Sequence, residues 1–126
     1  MTPGERMAAN KVVVNRFYAA MNTRNLEASL ALFEEGAKIV VVMDGPFAGE
    51  HAPSREFTQS FFDTFPEIVF TVGTMTAEDD RVAVEVSSRG RLSSGQPYRN
   101  RYHNLFVIHG DKIRLFREYP TGYTGE

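Results

Sequence analysis

The chain has 126 residues, 42% hydrophobic and 24% charged, with a formal net charge of −2, three histidines and no cysteine. That length suits one domain able to bury roughly two-thirds of its unfolded surface, and residues 1–126 read as a single unit. The acidic balance argues against nucleic acid or an anionic membrane as the main partner, and the missing cysteines exclude disulfides, a thiol nucleophile and thiolate metal ligands. Arg89, Arg91, Arg99 and Arg101 form one local basic cluster around a hairpin, read as a solvated strand end. The opening MTPGERMAANKVVV shows no apolar core of a signal peptide. No run approaches the roughly 20 apolar residues needed to span a bilayer. A cytoplasmic protein is the expectation.

From about Glu5 to Met21, apolar side chains at Val13, Phe17, Ala20 and Met21 recur at spacings of three and four, which predicts a helix. Asn22 to Asn25 breaks it, and Asn25 is placed to cap a second helix, LEASLALFEE, ended by Gly36. The β-branched run AKIVVVM reads as a strand. A turn-rich stretch, DGPFAGEHAPS, precedes SREFTQSFFDTF, whose phenylalanines predict a third helix capped by Ser54 and stopped by Pro66. After it come only strands, from Ile68 to Thr76, Arg81 to Leu92, Tyr98 to Ile108 and Lys112 to Tyr119. Three helices and a strongly curved mixed or antiparallel sheet make an α+β fold, a cone-shaped barrel with a hollow for ligands.

Alternation in the late strands sends every second side chain to one face. Glu85 shares a face with Ala83 and Ser87, His103 with Leu105 and Val107, and Glu118 with Arg114, Phe116 and Pro120. If those faces line one cavity, two carboxylates and an imidazole meet an apolar wall, an arrangement suited to acid–base chemistry. His51 and His109 lie in a loop and a turn and are expected to be exposed. Three scattered histidines with no close pair predict no metal site.

The order and spacing of YAAMNTRNLEASLALFEEGAKI, GQPYRNRYHNLFVI and GDKIRLFREY resemble the nuclear-transport-factor-2-like superfamily, and within it the SnoaL-like group, over nearly the whole chain. Ketosteroid isomerases and limonene epoxide hydrolases are relatives. The epoxide-hydrolase pattern implies acids at Glu118, just before Tyr119, and at Glu85; its arginine position is Ala83, and its water-holding positions fall near Ile39 and Val41. The ketosteroid-isomerase pattern implies a tyrosine at Tyr18 and a late acid position at His103. Its base falls near Val40, unless Asp44 reaches inward. The acidic residue that SnoaL-like cyclases and hydroxylases often carry after the final-strand tyrosine is Thr121 here.

Together these readings imply an isomerase or polyketide cyclase-like enzyme acting on a small hydrophobic carbonyl compound. Glu118 and Glu85 would move protons, and His103 with Tyr18 would hold an oxyanion. Phe57, Phe61, Phe116 and Leu105 would wall the pocket, without metal or organic cofactor. The alternative is a non-catalytic ligand-binding or dimerisation module, with Tyr102, Phe106, Leu115 and Tyr119 as an interface. A homodimer is expected under either. Epoxide hydrolysis is a further alternative.

Overall fold

The structure, a computed structural model, describes residues 1–122. Helix α1 (Pro3–Asn22) opens with a reciprocal cap: the Thr2 hydroxyl accepts from the Glu5 N–H at 3.1 Å, and the Glu5 carboxylate accepts from the Thr2 N–H at 2.9 Å. Its stripe of Val13, Val14, Phe17, Tyr18 and Met21 is buried. Asn25 caps α2 (Leu26–Ala31) by accepting from the Ala28 N–H at 3.0 Å.

Here the chain departs from the helix expected over 26–35. Strand β1 (Phe33–Val41) begins before Gly36, because Phe33 pairs with Ile113 and Lys38 with Leu115, and the residues between are absorbed by a bulge with Gly36 at φ 80°. Sheet pairing outweighs the weak local preference of Phe33, Glu34 and Glu35 for helix. A short strand β2 (Gly49–His51), within the segment read only as turns, pairs antiparallel with β1. Helix α3 (Arg55–Thr64) follows, with the Ser54 hydroxyl accepting from the Phe57 N–H at 3.0 Å.

The remaining strands are β3 (Glu67–Glu78), β4 (Arg81–Arg91), β5 (Pro97–His109) and β6 (Lys112–Glu118). They form one six-stranded sheet in the order β2-β1-β6-β5-β4-β3. The sheet is mixed: β1 runs parallel to β6, and the other pairings are antiparallel. Its ends do not meet, so the expected cone is an open curved sheet rather than a closed barrel. Val14, Val82, Val84, Phe106 and Ile113 sit fully enclosed between α1 and the sheet. Among the described residues, no helix is long and apolar enough to cross a membrane.

One arginine ties the helices together. Arg24, at φ 55° in the turn between α1 and α2, donates to the Phe65 carbonyl at 2.9 Å and the Phe62 carbonyl at 2.8 Å, with its guanidinium 4.6 Å from the Phe62 ring centre. These carbonyls lie at and just beyond the end of α3, where a helix leaves acceptors unpaired and favours a cation. Arg24→Ala is expected to cost about 2 kcal/mol, the value of losing charge-assisted bonds to partly buried acceptors, read as a lower urea midpoint.

Candidate functional site

The concave side of the sheet and the inner faces of α1 and α3 enclose a cavity of about 250 Å³. Its walls are aromatic: Phe17 and Tyr18 from α1, Phe57 and Phe61 from α3, Phe70 from β3, Tyr102 from β5 and Phe116 from β6. Ile39 and Val41 complete the β1 side. The mouth is formed by the loop containing Met43, Asp44, Gly45 and Pro46, together with Pro120.

That loop is pinned by His51, expected on sequence grounds to be exposed. The structure leaves it partly buried, its ring tilted against Phe57 with centroids 4.5 Å apart. His51 Nε2 lies 2.9 Å from the Phe47 carbonyl and 3.1 Å from the Ala48 carbonyl, so the ring nitrogen carries hydrogen and donates to the loop. Phe47 in turn meets Phe57 and Phe61 edge-on or tilted. His109 is exposed as expected, beside Glu34.

Glu118 stands at the end of β6, with its carboxyl lining this apolar chamber. Its neighbour in the parallel register is Val41. Glu118 is partly buried, in the wall of the cavity. Among the described residues, none donates a hydrogen bond to its carboxyl and none forms an ion pair with it. Burial raises its pKa from the ordinary 4.5 to about 7.

Two phenol hydroxyls flank it. Tyr18 is 2% exposed, and its oxygen accepts from Asn104 Nδ2 at 2.9 Å. Asn104 Oδ1 accepts from the Tyr119 N–H at 3.1 Å, and this fixes which end of the amide faces Tyr18. The Tyr18 hydrogen is therefore left to donate elsewhere. The Tyr102 hydroxyl lies 2.6 Å from Ser88 Oγ. Burial pushes both phenols well above their usual range, and the charge of Glu118 adds to the rise in each. Both remain protonated donors at any physiological pH.

The other expected site residues do not join them. Glu85 and His103 are directly paired across β4 and β5, but both are exposed on the opposite face of the sheet. The inward set on β4 is Val82, Val84, Val86 and Ser88, and on β5 it is Asn100, Tyr102, Asn104, Phe106 and Ile108. Leu105 shares the outer face with His103, opposite Ala83 and Arg117, and does not line the cavity. Arg114 leaves the face of Phe116 and Glu118 because β6 carries one extra residue between Ile113 and Leu115, and it bonds Glu34 at 3.0 Å instead. Phe57, Phe61 and Phe116 do line the cavity. Tyr102 and Phe106, read as interface residues in the non-catalytic alternative, are buried in the core at 7% and 0% exposure.

Val40, the position of the ketosteroid-isomerase base, pairs with Arg117 while its neighbours Ile39 and Val41 face the cavity, so the chamber's carboxyl comes from the adjacent strand. Asp44 is exposed at the mouth. Asn104 and Tyr102 were missed as site residues; the signal was the unbroken apolar alternation of β4, which marks Glu85's face as the outer one and, through the pairing, the inner face of β5. Among the described residues, no group of three or more histidines and acids is arranged to hold a metal.

A family model for the SnoaL-like domain matches residues 14–116. The chain belongs to that family. An NTF2-like protein from Anabaena variabilis superposes with a TM-score of 0.82 at 22% identity, covering 98% of this chain and 96% of its own. Bal32a, from a soil-derived mobile gene cassette, superposes at 0.82 with 19% identity, covering 93% and 92%. TerC, co-crystallised with polyporic acid, superposes at 0.77 with 16% identity, covering 88% and 90%. At such identities these likenesses show the fold alone. No curated protein matches the sequence significantly.

The raised pKa of Glu118 sets a pH dependence of stability. The unfolded carboxyl ionises near 4.5 and the folded one near 7, so the folded state binds the proton more tightly between these values. Stability from the neutral carboxyl is fully present below about pH 4.5 and is lost as pH rises through about 7, a change of about 3 kcal/mol. Glu118→Gln is expected to abolish this slope and to raise Tm at pH 8 by several degrees, with little effect at pH 4.5, as followed by thermal melts across that range. Tyr18→Phe should cost about 1–3 kcal/mol, because it strands the Asn104 amide donor in the core, and denaturant titration measures it.

Proposed function

We propose that this SnoaL-like protein is an acid–base enzyme acting on a small, mainly apolar carbonyl compound, with isomerisation or aldol-type cyclisation as its outcome. The observation that carries the reading is the lone, unpartnered carboxyl of Glu118, with a pKa of about 7, in the wall of an aromatic chamber. A group with that pKa both accepts and returns a proton at neutral pH.

In this mechanism the Glu118 carboxylate removes a proton from the carbon beside the carbonyl. The C–H electron pair moves into the carbon–carbon bond, and the carbonyl oxygen takes the negative charge. Tyr18, whose hydrogen is not used by Asn104, donates to that oxygen, and Tyr102 also lines the chamber to assist. The protonated Glu118 then returns its proton to a different carbon, completing an isomerisation. In a cyclisation, the enolate carbon attacks a second carbonyl and the resulting alkoxide takes the proton. One carboxyl suffices for either cycle. A fold neighbour crystallised with polyporic acid is in keeping with a small organic molecule in a cavity of this kind.

The groups that epoxide hydrolysis requires are not favoured here. Ile39 and Val41 are apolar at the water-holding positions, and Glu85 lies outside the chamber. A second reading, a binding module without turnover, draws support from the absence of any other carboxyl, or any imidazole, deep in the cavity among the described residues; Asp44 stands at the mouth.

Proton exchange separates the two readings without knowledge of the natural substrate. Small cyclic ketones incubated with the protein in D₂O are expected to exchange their α-protons, as followed by NMR. The rate should rise with pH and level off above about 7, and Glu118→Gln should lower it by about 10²–10⁴-fold. Saturable ketone binding without exchange would support the binding module instead.

A further inference from the structure

The sheet has a second hollow, on the face turned away from the cavity. Val69, Thr71, Ser87, Arg89, Arg99 and Arg101 line it. We infer that it is a binding site for a phosphate-type oxyanion, held by Arg89, Arg99 and Arg101.

Register brings these three cations together. Arg89 pairs directly with Arg99 across β4 and β5, and Ser87 pairs with Arg101 one step along the same face. Directly opposed side chains have Cβ atoms roughly 5 Å apart, and diagonal ones about 7–8 Å. Like charges placed so closely repel each other and destabilise the pair unless something neutralises them.

Among the described residues, no acid supplies that neutralisation. All three arginines are exposed, and among the described residues none of their guanidinium groups forms an ion pair or side-chain hydrogen bond. The chain carries 16 acidic against 14 basic residues, and among the described residues its ion pairs form elsewhere. Arg91 pairs with Glu67, Arg114 with Glu34 and Lys38 with Glu50. Glu85, diagonal to Arg101 on the next row, forms no ion pair with it. Among the described residues, the cluster is thus a concentration of unpaired positive charge on a protein whose net charge is negative.

The adjoining groups are donors as well. Thr71 pairs directly with Ser87, so two hydroxyls stand side by side next to the arginines. Planar guanidinium forks match the oxygens of a tetrahedral phosphate or sulfate group. Val69, 55% exposed beside Arg89, offers an apolar shelf for whatever carries the phosphate. The ligand is the free ion or the phosphate end of a small molecule. The site is independent of the cavity chemistry.

Amide NMR of the full chain tests this, with sodium phosphate titrated at constant ionic strength against chloride. Saturable shifts are expected at residues 87–89 and 99–101. Arg99→Ala and Arg101→Ala should each weaken binding by about tenfold or more, while both variants, altered only on an exposed face, remain folded. Phenyl phosphate binding more tightly than inorganic phosphate identifies a phosphorylated small molecule as the ligand, and equal affinity identifies the free ion. Shifts that match those of chloride, or that survive both substitutions, would overturn the inference. So would a dimer that buries the three arginines and leaves phosphate without effect.

Discussion

Removing a carboxylate from water without giving it a partner is among the costlier things a fold can do, and the chamber of this protein is organised around that cost. Aromatic rings from α1, α3 and four strands line the chamber with Glu118, and among the described residues none donates a hydrogen bond to its carboxyl. With no donor to stabilise the anion, the acid keeps its proton until about pH 7. The same apolar packing that makes the site expensive also makes it reactive. A hydrogen-bond donor aimed at the carboxyl would make the fold more stable at neutral pH and the acid less able to cycle its proton.

Asn104 sets the polarity of the neighbouring hydrogen bonds. It is 1% exposed on β5, anchored at its oxygen by the Tyr119 backbone and at its nitrogen by the Tyr18 hydroxyl. It thereby links the residue next to Glu118 to the first helix, and it leaves the Tyr18 proton unspent. A buried amide with both ends satisfied rigidifies its surroundings, because either bond can be broken only by leaving a polar group stranded. The link bridges 86 positions of sequence, from α1 to β5.

The two faces of the sheet serve opposite electrostatic purposes. The inner face gathers one acid among apolar walls, while the outer face gathers three arginines that form no ion pair among the described residues. The SnoaL-like fold accommodates both because a curved sheet offers side chains alternately to a covered and an uncovered side. Glu85 and His103 belong to the uncovered side, where water screens their charges.

Much of the chain is legible in its sequence. The cap residues Asn25 and Ser54, the helical stripes of α1 and α3, and the four long strands followed from spacing and local chemistry, as did the resemblance to the family. Parity and helical periodicity mark Phe57, Phe61, Phe116 and Glu118 as cavity residues. Two features misled. The segment 33–35 looks helical in isolation and becomes strand only because β6 is there to pair with it. The faces of β4, β5 and β6 each alternate, but alternation within a strand does not say which face of one matches which face of the next. That depends on register, and a shift of one residue exchanges the two sides. The residue types thus determined that a carboxyl, an imidazole and several aromatics would lie on strands and helices of an α+β fold. Only the tertiary pairing, with β6 set between β1 and β5 and one extra residue bulged at Arg114, decided that Glu118, and not Glu85 or His103, would face the chamber, since burial is a property of packed layers rather than of any segment by itself.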